Sequence, residues 1–434
     1  MWKKCSVPLI GLTLLLATAA TSLASGFAII EQSVSGLGNA FSSGSANAED
    51  ASTIFFNPAA MTLLDEPQVT AAGHIIVPKA EFTASTAVNK NNLSLGTNNS
   101  DNAAKIAFVP NLYYATKIND KLSAGIGIFA PFGFTTEYDQ DWVGRYHAIE
   151  SNVMTININP SIAYKATDKL SVGFGISAQY MDVTLSSMVD ATGGAAPGAM
   201  DVFVNNEADD WGYGFNLGFL YEFNKDTRTG FHYRSQITHK VKGTTTTAVP
   251  NPALKAVFPD QGVHGSITLP ASASLSVFHQ ATEKLAFMAD VTWTEWSTFD
   301  KLVIVFEGTG LAGSQASPTT ENWDDTWRYA VGASYQATEK LLLRTGLAYD
   351  ETPIPDAYRT PRIPGEDRFW VALGFGYQFT ESLNLDFAYS HLFVNDSKMQ
   401  KVATIGTEDE NRGTVIGEFE NAVDIVSTQI SYKF

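Results

Sequence analysis

Apolar residues recur at every second position through most of this chain, in runs long enough to define strands. Tyr213, Phe215, Leu217, Phe219, Tyr221 and Phe223 share one face of such a run, and Gly214, Asn216 and Gly218 share the other. Leu170, Val172, Phe174, Ile176 and Tyr180 alternate in the same way with Ser171, Gly173, Gly175, Ser177 and Gln179. Phe369, Val371, Leu373, Phe375 and Tyr377 alternate with Ala372, Gly374, Gly376 and Gln378. A period of two sends successive side chains to opposite faces of an extended chain. Each apolar stripe covers the roughly 9 to 11 residues that a tilted strand needs to cross a bilayer. In water these stripes would need a second sheet to cover them; in hydrocarbon they need no cover.

A short polar motif separates the runs. Asp120-Lys121-Leu122, Asp168-Lys169-Leu170, Glu283-Lys284-Leu285 and Glu339-Lys340-Leu341 are near copies, and Thr167, Thr282 and Thr338 precede the acid in the last three. Glu381-Ser382-Leu383 after Thr380 is a variant, and Asn224 to Arg228 fills the one long gap. Each reads as a tight hairpin turn. Six such turns predict 14 strands, with polar segments of about 15 to 30 residues at the opposite end, the asymmetry of outer-membrane barrels. A soluble repeat protein with one long-loop face is the alternative, and the lipid-suited stripes speak against it. Tyr164, Tyr335 and Tyr377 each precede an acidic turn residue by four positions, as in an interfacial aromatic girdle. Ile430, Tyr432 and Phe434 close the chain on one face and look like the signal read by the outer-membrane insertion machinery.

The first two dozen residues read as a targeting segment. Lys3 and Lys4 precede an uncharged apolar stretch from Val7 to Ala17, and Ser22, Leu23 and Ala24 supply a cleavage site, as in a secretory signal. The sole cysteine, Cys5, lies ahead of that stretch, so disulfides, thiolate catalysis and Cys-based metal sites are excluded from the mature chain. With 12% aromatic residues and 34 glycines, the composition fits one large antiparallel structure better than two α/β domains. The net charge of −17 argues against nucleic acid as a partner, because phosphate binding needs a cationic face.

Residues 25–66 do not alternate. Gly36, Gly38 and the run Ser42-Ser43-Gly44-Ser45 are small, and Asn57-Pro58-Ala59 has the form of a capped helix start, with Asn57 as cap and Pro58 in the first turn. Phe27, Ile29, Ile30, Phe41, Ile54, Phe55 and Phe56 make the segment too apolar for a disordered tail. It is expected to plug the lumen; a periplasmic arm or an amphipathic surface piece is the other reading. The fold class is thus all-β: a signal at 1–24, a hatch at 25–66, and a 14-stranded antiparallel transmembrane β-barrel at 67–434 with long extracellular loops.

Gly26-Phe27, Ser35-Gly36-Leu37-Gly38-Asn39-Ala40-Phe41, Asn57-Pro58-Ala59, Pro131-Phe132-Gly133 and Gly144-Arg145-Tyr146 occur in order, followed by Asn159-Pro160-Ser161, Tyr233-Arg234-Ser235 and Ile363 to Trp370. In this order the chain resembles the FadL family of outer-membrane transporters for long-chain fatty acids and related hydrophobic compounds. The resemblance implies a barrel plugged by a hatch, capture of ligand in a groove among extracellular loops, binding near the start of the hatch, and sideways release at a kinked third strand. It makes Phe27 the foremost candidate for ligand contact and gives Gly36, Gly38, Asn57, Pro58 and Ala59 the role of shaping the hatch. One subgroup handles monoaromatic hydrocarbons, and no motif here separates the two substrate classes. The implied partners are the ligand, the surrounding lipid and lipopolysaccharide, and the insertion machinery.

Several residues suit such a route on chemical grounds. Loops expected at about 186–210 and 243–266 offer adaptable apolar surface through Met188, Phe203, Leu254 and Phe258, or these residues merely pack the loops together. A carboxylate head needs a cation in an apolar pocket. Strand parity turns His232, Arg234, Gln236, Thr238 and Lys240 inward, and Arg328 and Arg344 likewise; such arginines bind ligand or pair with acids such as Asp290. Pro110 and Pro160 interrupt the second and fourth predicted strands, where a ladder donor is lost. With Gly125, Gly127 and Pro131 between them, this wall is the expected lateral exit; plain bulges are the alternative. No Gly-x-Ser-x-Gly elbow or His-Glu-x-x-His spacing occurs, and no motif requires a cofactor or metal. A general porin would lack the plug, and an adhesin would place its function in the acidic loops.

Overall fold

The computed structural model describes residues 26–434; the expected signal lies outside the described residues. Those residues build fourteen long antiparallel strands. The first seven are β1 (Gln68–Val88), β2 (Ala107–Lys117), β3 (Leu122–Phe129), β4 (Glu150–Lys165), β5 (Leu170–Asp190), β6 (Asp201–Glu222) and β7 (Thr227–Arg234). The rest are β8 (Ser272–Gln280), β9 (Leu285–Thr294), β10 (Thr326–Gln336), β11 (Leu341–Asp350), β12 (Arg368–Gln378), β13 (Leu383–Val394) and β14 (Thr414–Lys433). Each pairs with its sequence neighbour. β14 then returns to β1, from Gln68 opposite Lys433 to Val88 opposite Thr414. Closure leaves no edge, which is the condition for strands to cross hydrocarbon. No described helix is long and apolar enough to do so.

The turn motif has a common mechanism. In all six turns the residue three positions before the next strand accepts from the turn's N–H groups through its side chain. Asn119 takes Lys121 and Leu122, Thr167 takes Lys169 and Leu170, and Asn224 takes Asp226 and Thr227. Thr282, Thr338 and Thr380 cap Leu285, Leu341 and Leu383 in the same way. Such side-chain turns are what Asn and Thr favour, so the informative residue of the motif is the one ahead of its acid.

The two faces separate as the alternation predicts. Phe174, Ile176, Tyr213, Phe219, Leu373 and Phe375 point outward and exposed, whereas Ser171, Ser177, Gln179 and Asn216 are buried. Parity fails at one place. After Arg234, Ser235 leaves the ladder and exchanges two hydrogen bonds with Phe215 (2.9 and 3.0 Å). One residue spent in this way flips everything beyond it. Gln236, Thr238 and Lys240 therefore point to solvent, and Ile237, His239 and Val241 are buried instead. The expected loop 186–210 is also corrected. β5 and β6 continue to Asp190 and Asp201, pairing Met188 with Phe203 and Val189 with Val202, so only 191–200 is loop. Part of 243–266 is strand too, at Lys242–Ala248 and Gln261–His264.

Residues 26–66 lie inside the barrel, ahead of β1. Helix α1 (Val34–Gly38) is capped by Ser33, whose hydroxyl accepts from Gly36 N. Helix α2 (Thr53–Phe56) leads to a 3₁₀ turn, Pro58–Leu63, capped by Asn57. The Asn57 amide also donates to Ser45 O at 2.6 Å and to Phe219 O of β6 at 2.9 Å, tying the hatch to itself and to the wall. Val34 N donates to Gln429 Oε1 on β14, 395 positions away. The hatch backbone presses so closely on the wall that a Cβ on Gly218 would lie 2.1 Å from Asn57 Oδ1, and one on Gly173 2.3 Å from Ala59 N. Several inward glycines of the alternating runs are contact points for the plug.

Candidate functional site

The hatch begins in an aromatic cage. Phe27 is buried, with ring centroids 4.9 Å from Trp296, 5.6 Å from Phe134 and Phe299, 5.9 Å from Trp323 and 6.1 Å from Phe132. Met181, Val183, Leu185, Ile267 and Leu269 extend the cage toward the outer end of the barrel. Burial of one such ring contributes about 1.5–3 kcal/mol, and edge-to-face neighbours add to that.

Beside the cage lies a cavity of about 120 Å³ lined by Ile29, Ile30, Phe55, Phe56, Pro131 and Phe132 on one side, and by His232, Arg234, Arg328, Asp350 and Arg368 on the other. The sequence-predicted Arg234 and Arg328 thus meet here. Arg234 donates to Phe55 O at 2.9 Å, with its guanidinium 4.6 Å from the Phe55 ring. Arg328 donates to Ala40 O at 2.7 Å and leaves Nε and Nη1 without partners. Arg368 is held by Asp350 (Nε to Oδ2, 3.0 Å), while its Nη1 and His232 Nε2 have no partner. Asp290, the acid expected beside these arginines, instead accepts the hydroxyls of Ser276 and Thr292. Buried donors left unpaired cost about 1–3 kcal/mol each, and a carboxylate brought into the cavity would pair them.

The remaining arginine does not join this group. Arg344 sits nearer the short turns, with Nη1 2.8 Å from Asp386 and Nη2 2.5 Å from Glu49 of the hatch. It is engaged as a structural tie.

The wall opens next to the cavity. The β2–β3 ladder stops at Leu112 opposite Ile128. Beyond Phe129 the chain leaves the sheet at Ala130-Pro131-Phe132, and pairing with β4 resumes at Gly133 with the register shifted by one. Hatch residues fill the space. Ile29 N donates to Pro131 O (2.8 Å), Gly133 N to Phe27 O (2.9 Å) and Gln32 Nε2 to Ala130 O (2.7 Å). From the other side Asn111 Nδ2 donates to Glu31 O and Tyr113 OH to Gln32 O. Ala104 bridges to Thr136 above. A window bounded by these contacts is stoppered by Phe27–Gln32, and Ile106, Phe108 and Ile128 around it face outward. Pro110 lies on β2 at this window, paired only with Gly73 of β1. Gly125 and Gly127 lie below it, paired on both sides; at Gly125 a Cβ would strike Ile54 and Met61 of the hatch. Pro160 interrupts the β4–β5 ladder without changing its register.

Toward the exterior, a crevice of about 470 Å³ runs between Met188, Val189 and Val204 on one wall and Leu302, Ile304, Phe306 and Leu311 on the other. Leu302 and Ile304 also line a small apolar pocket with Val183, Leu185, Val241 and Ile267, which leads on to the cage around Phe27. Met188 is thus on the route. Leu254 and Phe258 are not: they pack on Val202 and Val204 in a separate loop cluster, and Phe203 lies on the opposite face of β6 from both valines. The stretch 302–311, missed in the sequence, carries the alternation Leu302, Ile304, Phe306 that marks one apolar face. Arg368 could be read only as a strand start, and Glu31 and His232 carried no distinguishing signal.

These features define a class: a transmembrane barrel whose lumen is closed by its own amino-terminal segment, with an apolar path leading to a cationic pocket beside a gap in the wall. The family model described as outer membrane protein transport protein (OMPP1/FadL/TodX) matches residues 14–434, and the chain belongs to that family. It is 32% identical to a putative outer membrane protein of Neisseria meningitidis serogroup B, over 96% of each chain. It is 29% identical to a long-chain fatty acid transport protein of Escherichia coli O6:H1, over 94% of each. The crystal structure of a Pseudomonas aeruginosa FadL homologue superposes with a TM-score of 0.87 at 26% identity, covering 94% of this chain and all of that one. The chain is accordingly an outer-membrane β-barrel.

Proposed function

We propose that this barrel takes up long-chain fatty acids, or amphiphiles like them, by capture in the outer crevice, binding in the lumen and lateral release at the window beside β3. The observation that carries this reading is the convergence of Arg234, Arg328 and Arg368, with unpaired N–H groups, on an otherwise apolar cavity adjoining that window. A neutral aromatic hydrocarbon would leave those donors unpaired, so an anionic head group is favoured over a toluene-type ligand. At about 120 Å³ the cavity is smaller than the roughly 300–1,000 Å³ of drug-sized sites; it takes the head, and the chain takes the place of Phe27 in the cage. Relatives bearing the name of fatty acid transport proteins support the same reading, and a carrier rather than an enzyme follows from it. Lipopolysaccharide around the barrel, and insertion machinery engaging Ile430, Tyr432 and Phe434, are the further partners it includes.

The test is oleate binding and uptake by the Arg234→Ala/Arg328→Ala variant. Affinity is expected to fall at least about tenfold, the loss of one charge-assisted hydrogen bond, with the barrel still folded. Unchanged affinity would overturn the assignment. Growth of a gene-deleted strain on oleate and on toluene separates the two ligand classes.

A further inference from the structure

The first residues of the hatch have the outline of the ligand they exclude. Phe27 supplies an apolar group that fills the aromatic cage. Four residues on, Glu31 supplies a carboxylate that is 2% exposed, with Oε2 unpartnered. Between them Ile29 and Ile30 line the cavity that also holds Arg328 and Arg368. The charges acting on the Glu31 carboxyl are those of Arg368 and Arg328, opposed by Asp350. Burial raises its pKa and the two arginines pull it back down. Four extended residues span at most about 14 Å, so the segment presents a greasy end and an anionic end within the length of a fatty acid. The same segment, through Phe27 O, Ile29 N and Gln32 Nε2, is what stoppers the window.

We propose that Phe27–Glu31 is a built-in surrogate ligand, and that Glu31 holds the Arg328–Arg368 corner until an external carboxylate takes its place. This rests on the fatty-acid reading above and adds what couples binding to release. An anionic amphiphile competes for both ends of the surrogate, so its arrival detaches the segment from Pro131 and Gly133 and unstoppers the window. A neutral hydrophobe competes only for the cage, and Glu31 keeps the stopper in position. Glu31 is thus a positioning and specificity residue. An arriving carboxylate also finds Arg328 Nε and Nη1 and Arg368 Nη1, which Glu31 leaves unpaired, so the exchange favours the external ligand.

The experiment uses the full chain in detergent with cysteines at Ala28 and Phe132, which face each other in an isolated antiparallel bridge. Such a pair lies within the Cα separation a disulfide accepts. The rate of disulfide formation under mild oxidant then reports how long the stopper stays seated. Oleate is expected to slow it at least fivefold, and oleyl alcohol, equal in length but uncharged, less than twofold. Glu31→Gln is expected to slow the unliganded rate and to tighten oleate binding about tenfold, or 1.4 kcal/mol. Equal responses to oleate and oleyl alcohol, or a Glu31→Gln chain with unchanged oleate affinity, would overturn the proposal. The alcohol comparison needs no change at Glu31, so it stands even if that variant fails to fold. A wild-type chain that binds no oleate at all would sink the fatty-acid reading itself.

Discussion

The two ends of the hatch treat buried arginine in opposite ways. Near the short turns the plug brings acids to the wall: Glu49 and Asp386 flank Arg344, while Asp50 takes the Ser35 hydroxyl and the Gln429 amide. Near the outer end Arg234 and Arg328 meet only carbonyls and rings, and donors remain unpaired. The residue type, the inward orientation and the burial are the same. What differs is whether the hatch supplies the counter-charge. Where it does, the arginine is a bolt; where it does not, the site is left for an incoming anion.

The contrast breaks first at the bolt. Arg344→Ala leaves Glu49 and Asp386 buried without their cation, at a cost of about 3–5 kcal/mol, and planar-bilayer conductance should rise several-fold as the plug loosens. Conductance at the wild-type level would mean that Arg344 is not a tie. Next in size, Gly218→Ala drives a methyl into Asn57. Overpacking of this kind costs about 1–3 kcal/mol, and protease should then cut the hatch faster while the barrel stays intact. Arg328→Met sharpens the other side of the comparison. Oleate affinity should drop about tenfold, yet the melting temperature of the empty barrel should hold or rise slightly, because two unpaired donors disappear. A clear fall in melting temperature would place Arg328 with Arg344. The smallest effect is expected at Phe258→Ala, which trims loop packing away from the crevice and should leave oleate affinity within about twofold.

Much of this was legible in the sequence because hydrocarbon enforces a strict rule. Every lipid-facing position must be apolar, so the rhythm of Phe369 to Tyr377 and of Tyr213 to Phe223 carries the wall, and the acid-Lys-Leu copies count its turns. Inside, that rule no longer applies. The parity flip at Ser235 is one residue of irregular backbone, with no compositional trace. Met188 and Phe203 look like loop because their strands rise past the membrane, where either face can be polar. The matching of Arg344 with Glu49 joins residues 295 positions apart, and nothing in a single chain announces it. Glu31 is one acid among many until its burial and its neighbours are known.

The hydrogen bond from Val34 to Gln429 bears on how the molecule is made. Gln429 belongs to the strand that completes the cylinder, and it also holds Asp50. The last seam therefore zips against a stopper that is already in position. A wall that finished early would shut its own plug outside and strand these polar groups. Contacts this distant in sequence form slowly. The amino-terminal segment is thus a mandrel on which the final strand is wound, and shortening it should jam assembly before it alters transport.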